Sequence, residues 1–492
     1  MKRTLIFIHR WLGVVLCLFF LLWFPSGFVM MYWDYPSVTP ADRLAHLAPI
    51  DPASIRVSIE DAAAKAEVET PGALRLTTFA GRPIYRFGGR GDVAIVYADT
   101  GEEQLEVTQD DVAKIAQMWS GQSVKAARVE AVDRSDQWTL QNRVADLQPL
   151  WKFSWPDGQQ LYISQANGEV IQYTTRGSRI GAYFGAIPHW LYFTPLRRNG
   201  PMWSKVVIWS SGIATIAALL GLIVAVWMFS PSKRYRRAGA PSLFPYRGWK
   251  YWHAVIGLVG GVGAVTWALS GMLSMEPFPQ RDDSGEVARQ TQRVLQQLRG
   301  RPALEKFAAK DPRAALAQLR GLRVKEIEWV SIADEPAYFA TLGPGDTRIV
   351  PVNGAPVASL DTKALVEIVG DALKPIAPAR VSVMSQYDRY YLDRHRVAPL
   401  PVVAVELDDA ARSRYYVDPK SARVVGGYSA SNFLDRWLYH GLHSMNFPWL
   451  YNYRPAWDIV VIAFMMGGTA LSVTSLVLAW QVLGRKLRLM NA

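Results

Sequence analysis

Half of the 492 residues are hydrophobic and only 20% are charged, and the apolar ones concentrate in four stretches without any Asp, Glu, Lys or Arg, which excludes a soluble enzyme. The net charge of +12 sits in three short segments holding twelve basic and no acidic residues, so the balanced remainder gives nucleic-acid binding no support. One cysteine, Cys17, rules out intrachain disulfides and thiolate metal cages, and the lack of Cys-x-x-Cys-His rules out covalent c-type haem.

In chain order, the first charge-free stretch is Trp11–Trp33. It follows a basic start like that of a signal peptide, but it is too long and no small-x-small site follows, so an uncleaved helix is expected. Residues 34–180 form a first outer domain. A helix is predicted at Ser58–Val68, strands at Pro83–Phe87 and Val93–Tyr97 around a Gly-Gly-Arg-Gly turn, and a helix from the N-cap Thr108 to Trp119. Strands at Leu150–Trp155, Gln160–Ser164 and Glu169–Tyr173 follow, with turns at Pro156-Asp-Gly and Asn167-Gly. Residues 181–232 comprise an aromatic-rich interfacial segment, Ala182–Leu196, and the second apolar stretch, Val206–Ser232.

A basic loop, 233–250, leads to the third stretch, Tyr251–Met275. Residues 276–430 form a second outer domain, with a helix at Thr362–Leu373 and strands at Val402–Leu407, Arg414–Val417 and Arg423–Val425. Residues 431–484 repeat the interfacial plan, Phe433–Leu450, before the fourth stretch, Ile459–Gly484; residues 485–492 are a basic tail. Basic residues mark cytoplasmic flanks, so both termini and 233–250 are expected in the cytoplasm and both outer domains on the opposite side of the membrane.

The two halves read as one plan performed twice. His9-x3-Gly13-x13-Gly27 matches His253-x3-Gly257-x13-Gly271, with Ser26 and Ser270 before the last glycines. Asp136-Gln-Trp-Thr-Leu140 resembles Asp388-Arg-Tyr-Tyr-Leu392, Trp190-Leu-Tyr192 resembles Trp437-Leu-Tyr439, and Pro-Met-Trp203 resembles Pro-Ala-Trp457. Both halves start on the same side, so they are expected to be parallel repeats. The expected fold is a membrane α-helical protein of four transmembrane helices in two parallel repeats, carrying two α+β periplasmic domains with antiparallel hairpins.

The helix start His-Arg-Trp-Leu-Gly (9–13), the hairpin Tyr-Tyr-Val-Asp-Pro-Lys-Ser-Ala-Arg-Val (415–424) and Gly-Leu-His-Ser (441–444) resemble the PepSY-associated transmembrane family over nearly the whole chain. The resemblance implies PepSY-like outer domains. It also implies kinship with inner-membrane haem proteins that reduce ferric siderophores.

Five of the seven histidines sit at membrane edges: His9 and His253 on the expected inner side, His189, His440 and His443 on the outer side. An ionisable residue at such a place normally faces the bundle and has a partner, and neutral imidazole is a standard axial ligand of haem iron. Gly13 and Gly257 share a helix face with their histidines and leave room for a macrocycle. The lane Gly257, Gly260, Gly261, Ala264 and Ala268 extends that face or serves helix packing. The expected cofactor is haem b, two per chain: His9 with His253 at the inner face, His189 with His443 or His440 at the outer. The segment match sets His189 against Arg436, which leaves its ligand role open. Arg10, Arg247 and Lys250 are candidate propionate partners or plain topology anchors; His46 and His395 are expected to be surface histidines.

The expected activity is a membrane oxidoreductase, a di-haem b-type electron-transfer protein. Electrons would pass from a cytoplasmic or quinol donor to a periplasmic ferric chelate such as siderophore iron. No nucleotide-binding, zinc-protease or nucleophile-elbow motif competes. The alternative is a non-enzymatic, membrane-anchored binding or regulatory protein of the protease-inhibitor type, with the histidines as interfacial anchors.

Overall fold

The computed structural model describes residues 1–68, 73–88, 93–141, 144, 147–237, 239–278, 284–300, 303–376, 378–393, 395–430 and 436–490. Residues 89–91 of the predicted glycine turn, and 431–435 in the second interfacial segment, lie outside the described residues. Four helices are long and apolar enough to cross a membrane: Lys2–Met30, Gly200–Met228, Trp249–Leu273 and Ala456–Met490. They are numbered spans 1 to 4. Span 1 begins well before the apolar stretch at Trp11, because Lys2, Arg3 and Arg10 interrupt the hydrophobicity but not the helix. Their long stems lie along the bundle edge, with the Lys2 ammonium 4.7 Å from the Trp227 ring centre.

Each span packs on the next, and span 4 closes on span 1. The small-residue lane of span 3 divides its work. A Cβ on Gly260 would lie 3.3 Å from the Gly467 carbonyl carbon, so spans 3 and 4 touch backbone to backbone there. Gly468 likewise takes the ring of Phe24. Phe24, Trp267, Trp457 and Met465 fill the bundle interior toward its outer end.

The first outer segment forms β1 (Leu74–Phe79), β2 (Arg82–Gly88), β3 (Val93–Tyr97), β4 (Arg128–Val132), β5 (Leu150–Ser154), β6 (Gln160–Ser164) and β7 (Val170–Thr174). The basic loop carries a short hairpin, β8 (Tyr235–Arg237) with β9 (Ala240–Ser242). The second outer segment forms β10 (Glu326–Ile332), β11 (Glu335–Gly343), β12 (Asp346–Pro351), β13 (Pro378–Met384), β14 (Val402–Leu407), β15 (Arg414–Asp418) and β16 (Arg423–Tyr428). Two four-stranded antiparallel meanders result, β4-β5-β6-β7 and β13-β14-β15-β16. The strands predicted between 150 and 173 and between 402 and 425 fall inside them, while the predicted pair Pro83–Phe87 and Val93–Tyr97 is β2 with β3 of a third sheet. Thr108 caps its helix, Gln109–Ser120, through a reciprocal capping box with Asp111, and Ser58 caps Ile59–Lys65.

The remaining strands join across the two segments. A six-stranded sheet runs β12-β11-β10-β1-β2-β3, with β1 antiparallel to β10 and Leu76 opposite Ile327. Its buried face is one core holding Leu76, Tyr85 and Phe87 from the first segment with Trp329 and Tyr338 from the second. Charge closes the seam on the other side. Arg43 grips Glu326 through both nitrogens at 2.5 and 2.9 Å, and Arg75 reaches Glu328 at 2.7 Å.

Candidate functional site

The histidines expected at the membrane edges meet in two pairs. His9 of span 1 and His253 of span 3 approach across the bundle, with ring centres 6.2 Å apart and planes inclined by 36°. His189 ends a four-residue helix, Ala186–His189, before span 2, and His443 lies in the short turn Leu442–Ser444 before span 4. Their ring centres are 5.9 Å apart, with planes at 69°. Ser26, which contacts His189, lies 17 residues along span 1 from His9. At 1.5 Å per residue, the two pairs are therefore separated by about 25 Å along the bundle.

Every one of the four rings is fixed through Nδ1. His9 Nδ1 is 3.0 Å from the Ala217 carbonyl of span 2, and His253 Nδ1 is 3.0 Å from Thr474 Oγ1 of span 4. His189 Nδ1 is 3.1 Å from the Trp23 carbonyl and 3.2 Å from Ser26 Oγ, and His443 Nδ1 is 3.0 Å from Ser270 Oγ. A carbonyl only accepts, so His9 and His189 donate from Nδ1. Thr474 gives its hydroxyl proton to Leu471 and Ser270 gives its own to Trp267, so both hydroxyls accept from the imidazoles. All four Nε2 atoms then carry a lone pair, and no described hydrogen bond uses one. This is how a protein prepares histidine to bind a metal, the second nitrogen setting tautomer and orientation.

The spacing within each pair can be tested against a single metal. An imidazole nitrogen binds such an ion at about 2.0 Å, and its ring centre lies about 1.2 Å further back, so opposed ligands have centres roughly 6.4 Å apart. Both pairs match. Axial imidazoles stand perpendicular to a macrocycle, so the angle between their planes is a free rotation about the axis. Among the described residues no three His, Cys, Asp or Glu side chains converge as a metal site, so two nitrogens are what this chain offers at each pair. Space is present as well. A Cβ on Gly13 would meet nothing within 4 Å, and one on Gly257 only Leu471. A cavity of about 240 Å³ opens beside His189 and His443, walled by Phe20, Trp23, Ala264 and Ala268. The residues fit an axially ligated haem at both levels.

Backbone clearance supports the rings. His9 rests on Gly221 of span 2, where a Cβ would come within 2.5 Å of His9 Cε1; Gly27 and Gly271 leave room beside His189 and His443. Gly221 and Thr474 carry no sequence signal of their own, since each is one small residue among many in an apolar helix. Ser26 and Ser270 stand out in the sequence only by matching each other, and their role as imidazole partners emerges from the fold.

The contacts revise the match within the interfacial segments. His443 meets Ser270 as His189 meets Ser26. Trp457 Nε1 donates to the carbonyl after His443, that of Ser444, as Trp203 Nε1 donates to the one after His189, that of Trp190. His189 therefore corresponds to His443, not to Arg436. The Trp-Leu-Tyr likeness of 190–192 with 437–439 lies outside that register; 437–439 fall in a π-helical stretch, Arg436–Gly441, that precedes His443. Within that stretch His440 is exposed, its ring 4.8 Å from that of Tyr439. Arg436 is buried and donates to the carbonyls of Arg389 and Asn446.

The other candidates lie apart. Arg10 covers the rings of Phe7 and Trp11 and is exposed, as are Arg247 and Lys250. His395 is exposed, with Nε2 3.5 Å from Asp34. His46 is half-buried and stacks on Trp119 at 4.1 Å, so it is not the plain surface residue expected. Asp136 and Asp388 play matching parts in the outer segments, each accepting from a buried strand tyrosine, Tyr162 and Tyr416.

No curated protein matches the chain. The model of the PepSY-associated TM region matches residues 6–341, taking in His9, His189 and His253 and stopping short of His440 and His443. With more than half of its length matched and four membrane-spanning helices, this multi-pass membrane protein belongs to the PepSY-associated transmembrane family.

Proposed function

We propose that the protein is a b-type cytochrome with two haems, held by His9 with His253 and by His189 with His443, that passes electrons across the membrane. The observation behind this reading is the set of four imidazoles in two pairs, each ring tied through Nδ1 and standing 5.9–6.2 Å, centre to centre, from its partner. Haem b, when bound, supplies a one-electron couple whose potential follows its axial ligands, their hydrogen bonds and the surrounding dielectric. The chain's own part is to hold two neutral imidazoles per site and keep water from the bundle interior. Its Phe20, Trp23, Phe24 and Trp267 rings fill the space between the levels.

In this reading the halves are parallel repeats, the outer domains are periplasmic and both termini are cytoplasmic, as the basic flanks of all four spans favour. The donor is a cytoplasmic protein or a quinol. The acceptor class, implied by the family resemblance, is a ferric chelate such as siderophore iron, which binds iron(II) less well and so releases it on reduction. A reduced-minus-oxidised spectrum with haem quantification tests the reading: low-spin b-type bands and two haems per chain are expected, and a colourless protein sinks it. Reporter fusions at residues 240 and 492 should read cytoplasm, and those at 100 and 350 periplasm.

A further inference from the structure

A second cavity lies far from the histidine pairs, in the outer part of the molecule. Its volume is about 390 Å³, and it opens between the back of β1 and β2, the helix Gln109–Ser120 and the β6–β7 turn. One wall is cationic, with Arg43, Arg75 and Arg86; the other is apolar, with Ile84, Ile115 and Trp119. Arg43 and Arg75 are committed to Glu326 and Glu328. Arg86 is not: among the described residues it makes no hydrogen bond or ion pair.

The placement of Arg86 is costly. Antiparallel register sets it directly opposite Arg75 on the neighbouring strand, a like-charge pair that weakens a sheet. Burial lowers its pKa; Glu169 on the rim opposes that effect from beyond ion-pair distance, while Arg75 and Arg43 add to it. A half-buried guanidinium with unsatisfied donors beside an open, partly aromatic cavity is a local conflict of the kind folds tolerate where a ligand resolves it. The fork geometry of arginine favours a carboxylate or a similar planar anion.

We infer that this cavity binds a small organic anion, its charged group on Arg86 and its apolar body against Ile84, Ile115 and Trp119. The seam charges hold Arg43 and Arg75 in place, so Arg86 is the recognition residue. His46, stacked on Trp119, stiffens the aromatic wall. The site is independent of the haem reading and would stand if no haem were bound.

Calorimetric titration of the full-length protein in nanodiscs tests it, with 3-phenylpropionate as probe and its neutral amide and inorganic phosphate as controls. Saturable binding of 3-phenylpropionate is expected, at least tenfold tighter than either control and at least tenfold weaker in Arg86→Met. Because Arg86→Met removes an unpaired charge, the ligand-free variant should also melt about 2–4 °C higher than the native protein. Equal binding of the amide or of phosphate, undiminished binding by the variant, or no binding by the native protein would each overturn the inference. So would an Arg86→Met protein that melts earlier, since that marks a structural role.

Discussion

The two histidine pairs do the same job with different materials. His9 and His253 lie within long regular helices and are held by other spans: His9 by the Ala217 carbonyl, with the bare Cα of Gly221 beneath its ring, and His253 by Thr474 Oγ1. His189 and His443 lie on elements of three or four residues outside the spans, and the spans supply their partners Ser26 and Ser270. The inner pair is therefore held wholly within regular helices, while the outer pair depends on irregular chain docking into the bundle mouth. On the proposed function, a site that exchanges electrons with a soluble acceptor would benefit from the second construction. Short interfacial elements can leave an opening, such as the cavity beside Trp190 and Tyr192, that packed helices would close.

The largest effect should come from removing ligands. His9→Ala and His253→Ala should each halve the haem content and delete the same spectral species; His189→Ala and His443→Ala should delete the other. Reduction of an external ferric chelate should be lost in all four. If variants from one pair deplete different species, the pairing is wrong.

Next comes steric support, where the levels should diverge. Gly221→Val drives a side chain into the His9 ring and should abolish the inner haem alone. Gly271→Ala adds a Cβ only 3.7 Å from His443, ordinary contact, and should leave the outer haem intact. Spectra of both variants decide this, and equal damage would erase the distinction between the two constructions.

A smaller effect is expected from the Nδ1 acceptors. Ser270→Ala or Thr474→Val should weaken haem retention at its own level by about 10–100-fold and shift the midpoint potential of that haem. His9 should have no equivalent loss, because no side-chain substitution can remove the Ala217 carbonyl of span 2 that holds it. The smallest effect belongs to His440→Ala. Its exposed ring predicts unchanged spectra, and loss of the outer haem in that variant would move the ligand away from His443.

This contrast also explains what the sequence reveals and what it hides. The spans, the hairpin strands from Leu150 to Thr174 and from Val402 to Val425, and the Thr108 and Ser58 caps all follow from local periodicity and local chemistry. The match of His9 with His253 is visible because a regular helix preserves residue spacing. The equivalence of His189 and His443 is obscured because the Trp-Leu-Tyr likeness suggests another register, and spacing outside regular helices carries no fixed register. Gly221 is invisible because its meaning lies in what crosses it. β1, β4 and β8 to β13 are not among the strands that the local pattern predicts, and the pairing of β1 with β10 rests on contacts between distant parts of the chain.

That pairing has a consequence for how the molecule is made. When β1 emerges during synthesis, its neighbour β10 is about 250 residues away, a delay of roughly 12–50 s at about 5–20 residues per second. Throughout that interval two more spans must be inserted while β1 presents an open row of backbone donors and acceptors. The nascent first half is then a template for stray strand addition, and its safe completion calls for a chaperone or for rapid delivery of the second half.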